Sequence, residues 1–176
     1  NQNGILSAPS AVSLTIVDSL FERNGTCEQS CAHGLYVGNI DLLKLERTRF
    51  VGTKQGHHIK SRARRTEVVD CTIEDGQEGT ASYAIEIPNG GSLILRGSTI
   101  QKGPKAENHS AIVVIGAEGV TQPTPEIVIE NNTIRSDGSW PTIFVNNITA
   151  TEAMLRGNKL TGQIQPLRGD GQIVGK

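Results

Sequence analysis

Val68-Val-Asp-Cys-Thr-Ile73 and Leu95-Arg-Gly-Ser-Thr-Ile100 are the same phrase written twice. Each has an apolar residue, two variable residues, a small polar residue, one variable residue and a second apolar residue. Four further segments repeat it: Ile16-Val-Asp-Ser-Leu-Phe21, Leu45-Glu-Arg-Thr-Arg-Phe50, Ile129-Glu-Asn-Asn-Thr-Ile134 and Leu155-Arg-Gly-Asn-Lys-Leu160. The fourth position reads Ser19, Thr48, Cys71, Ser98, Asn132, Asn158, at spacings of 29, 23, 27, 34 and 26 residues. A fixed period of this length marks a stack of like units, each burying its apolar face against the next. The residue before it reads Asp18, Arg47, Asp70, Gly97, Asn131, Gly157. Gly, Asn and Asp gather where a chain must take a left-handed conformation. Each unit therefore reads strand, sharp bend, strand, and the small polar position is expected to form a hydrogen-bonded ladder along the stack, as Asn does in stacked sheets.

A second set of short strands precedes these segments. It runs Gly4-Ile-Leu-Ser, Gly34-Leu-Tyr-Val, Gly56-His-His-Ile, Ala84-Ile-Glu-Ile, Ala111-Ile-Val-Val and Thr142-Ile-Phe-Val. No apolar period of 3.6 residues occurs, which excludes helix-pair repeats. The spacing of a sandwich or barrel, a turn every 8–12 residues, is also missing. The pattern predicts an all-β chain folded as a parallel β-helix of about six coils, right-handed by the usual chirality of parallel crossovers. Its core should contain Ile16, Phe21, Leu45, Phe50, Val68, Ile73, Leu95, Ile100, Ile129, Ile134, Leu155 and Leu160.

Composition bounds the rest. The chain has 176 residues, with Lys plus Arg 17 against Asp plus Glu 18 and a net charge of -1. Such a balance argues against nucleic acid as a partner, and the basic run His57–Arg65 has no interleaved aromatics. No stretch is apolar for the ~18 residues a membrane-spanning helix needs. No basic and then apolar leader opens the sequence. An amphipathic cap helix is missing at both ends, and the pattern is already under way at Asn1. Residues 1–176 are accordingly expected to be one domain, the C-terminal part of a longer solenoid, or a solenoid whose ends meet other subunits.

Gly34-Leu-Tyr-Val, Gly56-His-His-Ile-Lys-Ser-Arg-Ala63 and Ser82-Tyr-Ala-Ile-Glu-Ile-Pro-Asn-Gly-Gly91 resemble a family of bacterial right-handed parallel β-helix repeat proteins with a pectin-lyase-like fold. The resemblance extends from about Asn1 to Gln163. It implies export to the periplasm or beyond. It supplies no established reaction.

The site is read from strand phase. Side chains alternate along a strand, and equivalent residues of successive coils stack. Aligning the second strand set on its leading residues puts Leu35, His57, Ile85, Ile112 and Ile143 in one inward column. Val37, Ile59, Ile87, Val114 and Val145 form the next. Tyr36, His58, Glu86, Val113 and Phe144 then point outward, followed by Lys60 and Arg62. Tyr36, His58, Lys60, Arg62 and Glu86 thus gather on one outer face. Lys60 and Arg62 are suited to neutralising the carboxylate of an acidic sugar, with Arg62 and Glu86 as binding residues. His58, Lys60 or Tyr36 would be the catalytic acid or base if the chain is a polysaccharide lyase. The same residues suit binding of an acidic polysaccharide without chemistry, or a solvated face held by ion pairs. Loops at Glu22–Ala32 and Gln101–His109 would wall a groove. The competing function is a structural or adhesive solenoid that assembles end to end.

Of the three cysteines, Cys27 and Cys31 are read as a disulfide pinning a loop, which suits an oxidising compartment. A zinc site there would find one further ligand in His33, fewer than the four it needs. Cys71 falls in the ladder column and is expected to be buried. No cofactor is expected. Asp70, Glu74, Asp75 and Glu78 are read as turn residues, with a weak calcium site as the alternative.

Overall fold

A computed structural model describes residues 2–10, 12–27 and 31–175. Its strands lie in three sheets, and every strand pairing within them is parallel. The first sheet holds β1 (Ile5–Ser7), β4 (Leu35–Val37), β7 (Ile59–Ser61), β10 (Ile85–Ile87), β13 (Ala111–Ile115), β16 (Thr142–Asn147) and β19 (Ile164–Arg168). The second holds β2 (Ser13–Val17), β5 (Leu42–Glu46), β8 (Arg65–Val69), β11 (Ser92–Arg96), β14 (Ile127–Glu130), β17 (Ala153–Arg156) and β20 (Gly171–Val174). The third holds β3 (Leu20–Glu22), β6 (Arg49–Val51), β9 (Thr72–Glu74), β12 (Thr99–Lys102), β15 (Thr133–Ser136) and β18 (Lys159–Thr161). Each coil contributes one strand to each sheet. The result is a parallel β-helix of six three-strand coils plus the two strands of a further turn.

The repeat sets the register. Ile16, Leu45, Val68, Leu95, Ile129 and Leu155 are successive partners in the second sheet. Phe21, Phe50, Ile73, Ile100, Ile134 and Leu160 are successive partners in the third. Eleven of these twelve are buried, and Leu160 packs partly buried against the same core. Phe21 and Phe50 stack with ring centroids 4.6 Å apart. Two apolar columns facing each other across a sharp bend leave little room for anything but regular stacking.

The bend is the most regular part of the coil. Asp18, Arg47, Asp70, Gly97, Asn131 and Gly157 all have positive φ, from 45° to 63°. Five of the six are Gly, Asn or Asp, the types that reach this conformation at least cost; Arg47 is the exception. The next residue caps the bend of a neighbouring coil. Ser19 N donates to Thr48 Oγ1, Cys71 N to Ser98 Oγ, Ser98 N to Asn132 Oδ1 and Asn132 N to Asn158 Oδ1, at 2.9–3.4 Å. Asn132 Nδ2 also donates to Asn158 Oδ1 at 2.8 Å and to Leu95 O at 3.1 Å. The ladder satisfies amides that the bend takes out of strand pairing.

Register on the first sheet differs from the one read in the sequence. Leu35 pairs with Ile59, and Ile59 with Ile85, so Tyr36, Lys60 and Glu86 form one row. The sequence alignment matched Gly34 with Gly56. Gly34 is instead level with His58, whose carbonyl oxygen would lie 2.5 Å from an added Cβ. Gly56, at φ 68°, belongs to the preceding corner. The two-residue slip keeps the faces of β7, with Ile59 inward and Lys60 outward, but His57 and His58 precede the strand at its corner, where alternation does not hold; His58 turns inward and His57 outward, the reverse of what was expected. Later in the sheet, Ile85 pairs with Val113 and Val113 with Val145. Val113 and Phe144 therefore join the main core, whereas Val114 and Ile143 pack in a small separate cluster.

Candidate functional site

The outer face of β4, β7 and β10 is fixed by the inward column Leu35, Ile59 and Ile85, each fully buried. With those anchored, Tyr36, Lys60 and Glu86 must project outward in line. Lys60 Nζ lies 2.8 Å from Glu86 Oε2 and 2.5 Å from Glu118 Oε1. Arg62 Nη2 lies 2.5 Å from Glu118 Oε2. The guanidinium is held on its other sides: Nε donates to Tyr36 OH at 2.9 Å, and Nη1 donates to Asn89 Oδ1. Lys60 and Arg62 also lie within 6 Å of the Tyr36 ring centroid, at cation–π range.

Glu118 was not foreseen. It comes from the loop 116–125, which folds back over the first sheet. Glu118 N donates to Pro88 O at 2.9 Å, Thr121 N and Gln122 N donate to Asn89 O, and Gln122 Nε2 donates to Arg62 O at 2.7 Å. This loop walls the face; of the loop expected at Glu22–Ala32, residues 28–30 lie outside the described residues. Beside it, Asn39, Arg64, Thr121, Gln122, Pro123 and Pro125 line a groove of about 470 Å³.

A second row runs beside the first. His33, His57 and Tyr83 stack along the solenoid axis with ring centroids 4.8 and 5.0 Å apart. Each lies two residues before its inward anchor: Leu35, Ile59 or Ile85. That offset is visible in the sequence once the anchors, and not the glycines, are aligned. The next ring's backbone sets each tautomer. His57 N donates to His33 Nδ1 at 3.0 Å, and Tyr83 N donates to His57 Nδ1 at 3.2 Å. Both Nδ1 lone pairs are used, so Nε2 carries the proton in each ring. His57 Nε2 lies 3.0 Å from Glu86 Oε2, within ion-pair distance but not aligned as a hydrogen bond.

The charges are settled by these contacts. Burial pushes the Glu86 carboxyl up, but His57 and Lys60 more than offset it and hold it at about 2. Burial pulls Lys60 down, yet Glu118 and Glu86 outweigh it and hold the ammonium above its ordinary range. Burial, with the fields of His57 and Lys60, drives His33 down to about 3, so the ring is neutral. Glu118 is likewise held below the usual carboxylate range, where its pairing with Lys60 and Arg62 overcomes burial. Two cations and two carboxylates thus close on one another.

His58 is the clearest correction. It is 2 % exposed and points into the coil interior. Its Nδ1 is 2.8 Å from Thr53 Oγ1 and its Nε2 is 2.7 Å from Asp75 Oδ1, both buried. Asp75 Oδ2 in turn accepts from Gly103 N at 2.7 Å. Enclosed in this way, His58 is out of reach of a ligand on the outer face. Tyr36, Lys60, Arg62 and Glu86 do come together; His58 does not join them. Asp75, read as a turn residue, faces inward and fixes the corner between coils. Among the described residues, no three of His, Cys, Asp and Glu are grouped to share a metal ion.

Cys27 and Cys31 are joined by a disulfide, with their Cα atoms 4.0 Å apart. It closes the loop between β3 and β4, and Cys27 N donates to Gln55 Oε1 at 2.7 Å in the next coil. Cys71 is buried and free, its thiol pushed up by burial.

The model of the right-handed β-helix region matches residues 2–167. The chain therefore belongs to the right-handed parallel β-helix family. No curated protein and no solved structure matches it. Among the described residues, no helix is long and apolar enough to cross a membrane.

Proposed function

We propose that this β-helix binds an acidic polysaccharide on the outer face of its first sheet. The observation that carries the reading is the pair Lys60–Arg62. These cations stand two residues apart on one strand end, each directing a donor to a different oxygen of one carboxylate. That is the geometry a uronate carboxylate needs. Tyr36 supplies an aromatic ring beside the charges, and the groove along Gln122 and Arg64 gives a chain room to continue. Export to a compartment where such polymers occur belongs to the same reading.

The face suits binding better than bond cleavage. An elimination needs a base with a free lone pair. Lys60 is held protonated and has no lone pair to offer, Glu86 at about 2 is too weak a base, and the Nδ1 lone pair of His57 is already in use. Of the expected catalytic residues His58, Lys60 and Tyr36, the Tyr36 hydroxyl is left as a proton carrier, and it accepts from Arg62.

Calorimetric titration with a galacturonate trimer tests this reading. The expected result is binding that weakens with salt and is lost in Lys60→Ala. A charge-assisted contact corresponds to about 1.5–3 kcal/mol, roughly tenfold to 150-fold in affinity. Equal binding of the trimer and its neutral galactose counterpart would overturn it. If neither binds, a scaffold solenoid remains, and mass in solution at several concentrations would show whether copies assemble end to end.

A further inference from the structure

The structure assigns Glu118 a role as built-in occupant: its carboxylate fills the Lys60–Arg62 cradle in the free protein, and an incoming uronate must displace it. This inference rests on the binding reading above and adds a regulatory element to it.

Three observations carry it. The first is that Glu118 is held as a ligand would be. One oxygen faces Lys60 Nζ at 2.5 Å and the other faces Arg62 Nη2 at 2.5 Å, so the carboxylate bridges two cations from separate residues. It comes from a loop some 56–58 residues further along the chain, not from the strand that bears the cations.

The second is that the cradle does not depend on Glu118 for its shape. Arg62 is fixed by Tyr36 OH at Nε and by Asn89 Oδ1 at Nη1, which leaves Nη2 for Glu118. Lys60 Nζ keeps Glu86 Oε2 at 2.8 Å as a second ion-pair partner, held by charge without a hydrogen bond. When Glu118 leaves, both cations stay in place, each with a donor turned outward. Two cations then face one remaining carboxylate, Glu86. The vacated cradle has one unit of positive charge to offer, which matches one uronate carboxylate.

The third is that the departure is local. The Glu118 side chain is 40 % exposed, and its loop is anchored through the backbone at Glu118, Thr121 and Gln122. Rotation of the side chain into solvent empties the cradle without moving the loop. By contrast, Glu86 has a side chain 6 % exposed and cannot leave in this way.

A binding site occupied by an internal competitor shows an affinity reduced by the fraction of time it is open. If Glu118 sits in the cradle nine-tenths of the time, removing it strengthens binding about tenfold. The test titrates wild type, Glu118→Ala and Glu118→Gln with a galacturonate trimer, with the neutral galactose trimer as control. The expected result is trimer binding about tenfold tighter in Glu118→Ala, a smaller gain in Glu118→Gln, and a steeper salt dependence in both. Binding unchanged or weakened in Glu118→Ala, with wild type binding normally, would overturn the inference and leave the binding reading standing. No binding by wild type or by either variant would remove both. Thermal unfolding of each variant, expected to stay close to wild type, guards against a folding defect.

Discussion

The bend between the second and third sheets and the outer face of the first sheet are made from the same kind of short strand, yet they obey different constraints. At the bend, six residues share a positive φ and the residue after each feeds a ladder running through the stack. On the first sheet no such backbone constraint recurs. Its strands β4, β7 and β10 are three residues long, and their outward residues change from tyrosine to lysine to glutamate. The bend is where the fold is specified, and the sheet face is where the chain varies. A solenoid can change a face coil by coil as long as the bend keeps every coil in phase.

Breaking the bend should cost most. Asn132 is 1 % exposed, accepts from Ser98 N and donates to Leu95 O and Asn158 Oδ1. Asn132→Leu leaves these buried partners unmet and is expected to destabilise by about 3–5 kcal/mol, at about 1–3 kcal/mol for each stranded group. Urea unfolding would show it as a lower midpoint at unchanged slope. A loss below about 1 kcal/mol would mean that the ladder is incidental to the coil.

The face should reveal itself through acid. Glu86 titrates at about 2 in the folded chain against an ordinary 4.5. A depressed carboxylate stabilises the fold above its unfolded pKa and loses that contribution as pH falls from about 4.5 to about 2. The full contribution is at most about 3 kcal/mol. His33 acts in the same direction from an earlier onset. Its folded value near 3 against 6.5 means that the unfolded chain takes up protons first, so stability declines as pH falls from 6.5 towards 3. Glu86→Gln should therefore flatten the stability profile below pH 4.5 and spare the decline above it. An unchanged profile would show that the Glu86–Lys60–His57 contacts are too wet to matter.

These two regions also explain what the sequence could and could not disclose. The bend was legible because its backbone conformation selects residue types: Gly97, Gly157, Asn131, Asp18 and Asp70 stand out, and the flanking apolar pair fixes the phase. Arg47 gave no such sign, and its place followed from its neighbours. The first sheet was misread because Gly34 and Gly56 look alike in letters but not in role. One sits where the next coil's backbone presses close, the other at a positive φ. The resulting slip is two positions, which keeps the faces of β7, and His58 was drawn outward because strand alternation was carried past the start of β7 into the corner before Ile59. Tyr36, Lys60, Arg62 and Glu86 remained together because three of them share one true row and Arg62 follows on the same strand end. Glu118 left no trace, since a loop that folds back across a sheet is set by tertiary contacts that no local pattern encodes.

Lys60→Ala compares the face with an ordinary one. It leaves Glu86, 4 % exposed, with His57 as its remaining partner. Removing one member of a buried pair strands the other, and here the edge of the site is open, so a loss of about 1–3 kcal/mol is expected. The experiment is the same urea titration at pH 7. A loss within about 0.5 kcal/mol would place Lys60 among solvated surface charges.

Arg96→Ala on the second sheet supplies the contrast and the smallest effect. Arg96 Nη2 lies 3.1 Å from Glu130 Oε2, a distance close to that of Lys60 and Glu86, and its neighbours repeat the cation–carboxylate pattern along the sheet. Distance alone would rank the two pairs together. Exposure separates them: the Arg96 side chain is 51 % exposed and that of Lys60 is 11 %. In water the attraction is screened, ordering a long side chain costs entropy, and Glu130 keeps Arg156 within 3.7 Å. The expected loss is below about 0.5 kcal/mol and should vanish at high salt. The same salt should leave most of the Lys60 effect in place, because a pair removed from water is screened less. If Arg96→Ala and Lys60→Ala cost the same and respond alike to salt, the first sheet's face is a solvated surface like the second's, and its closed network of charges has no special claim to be a site.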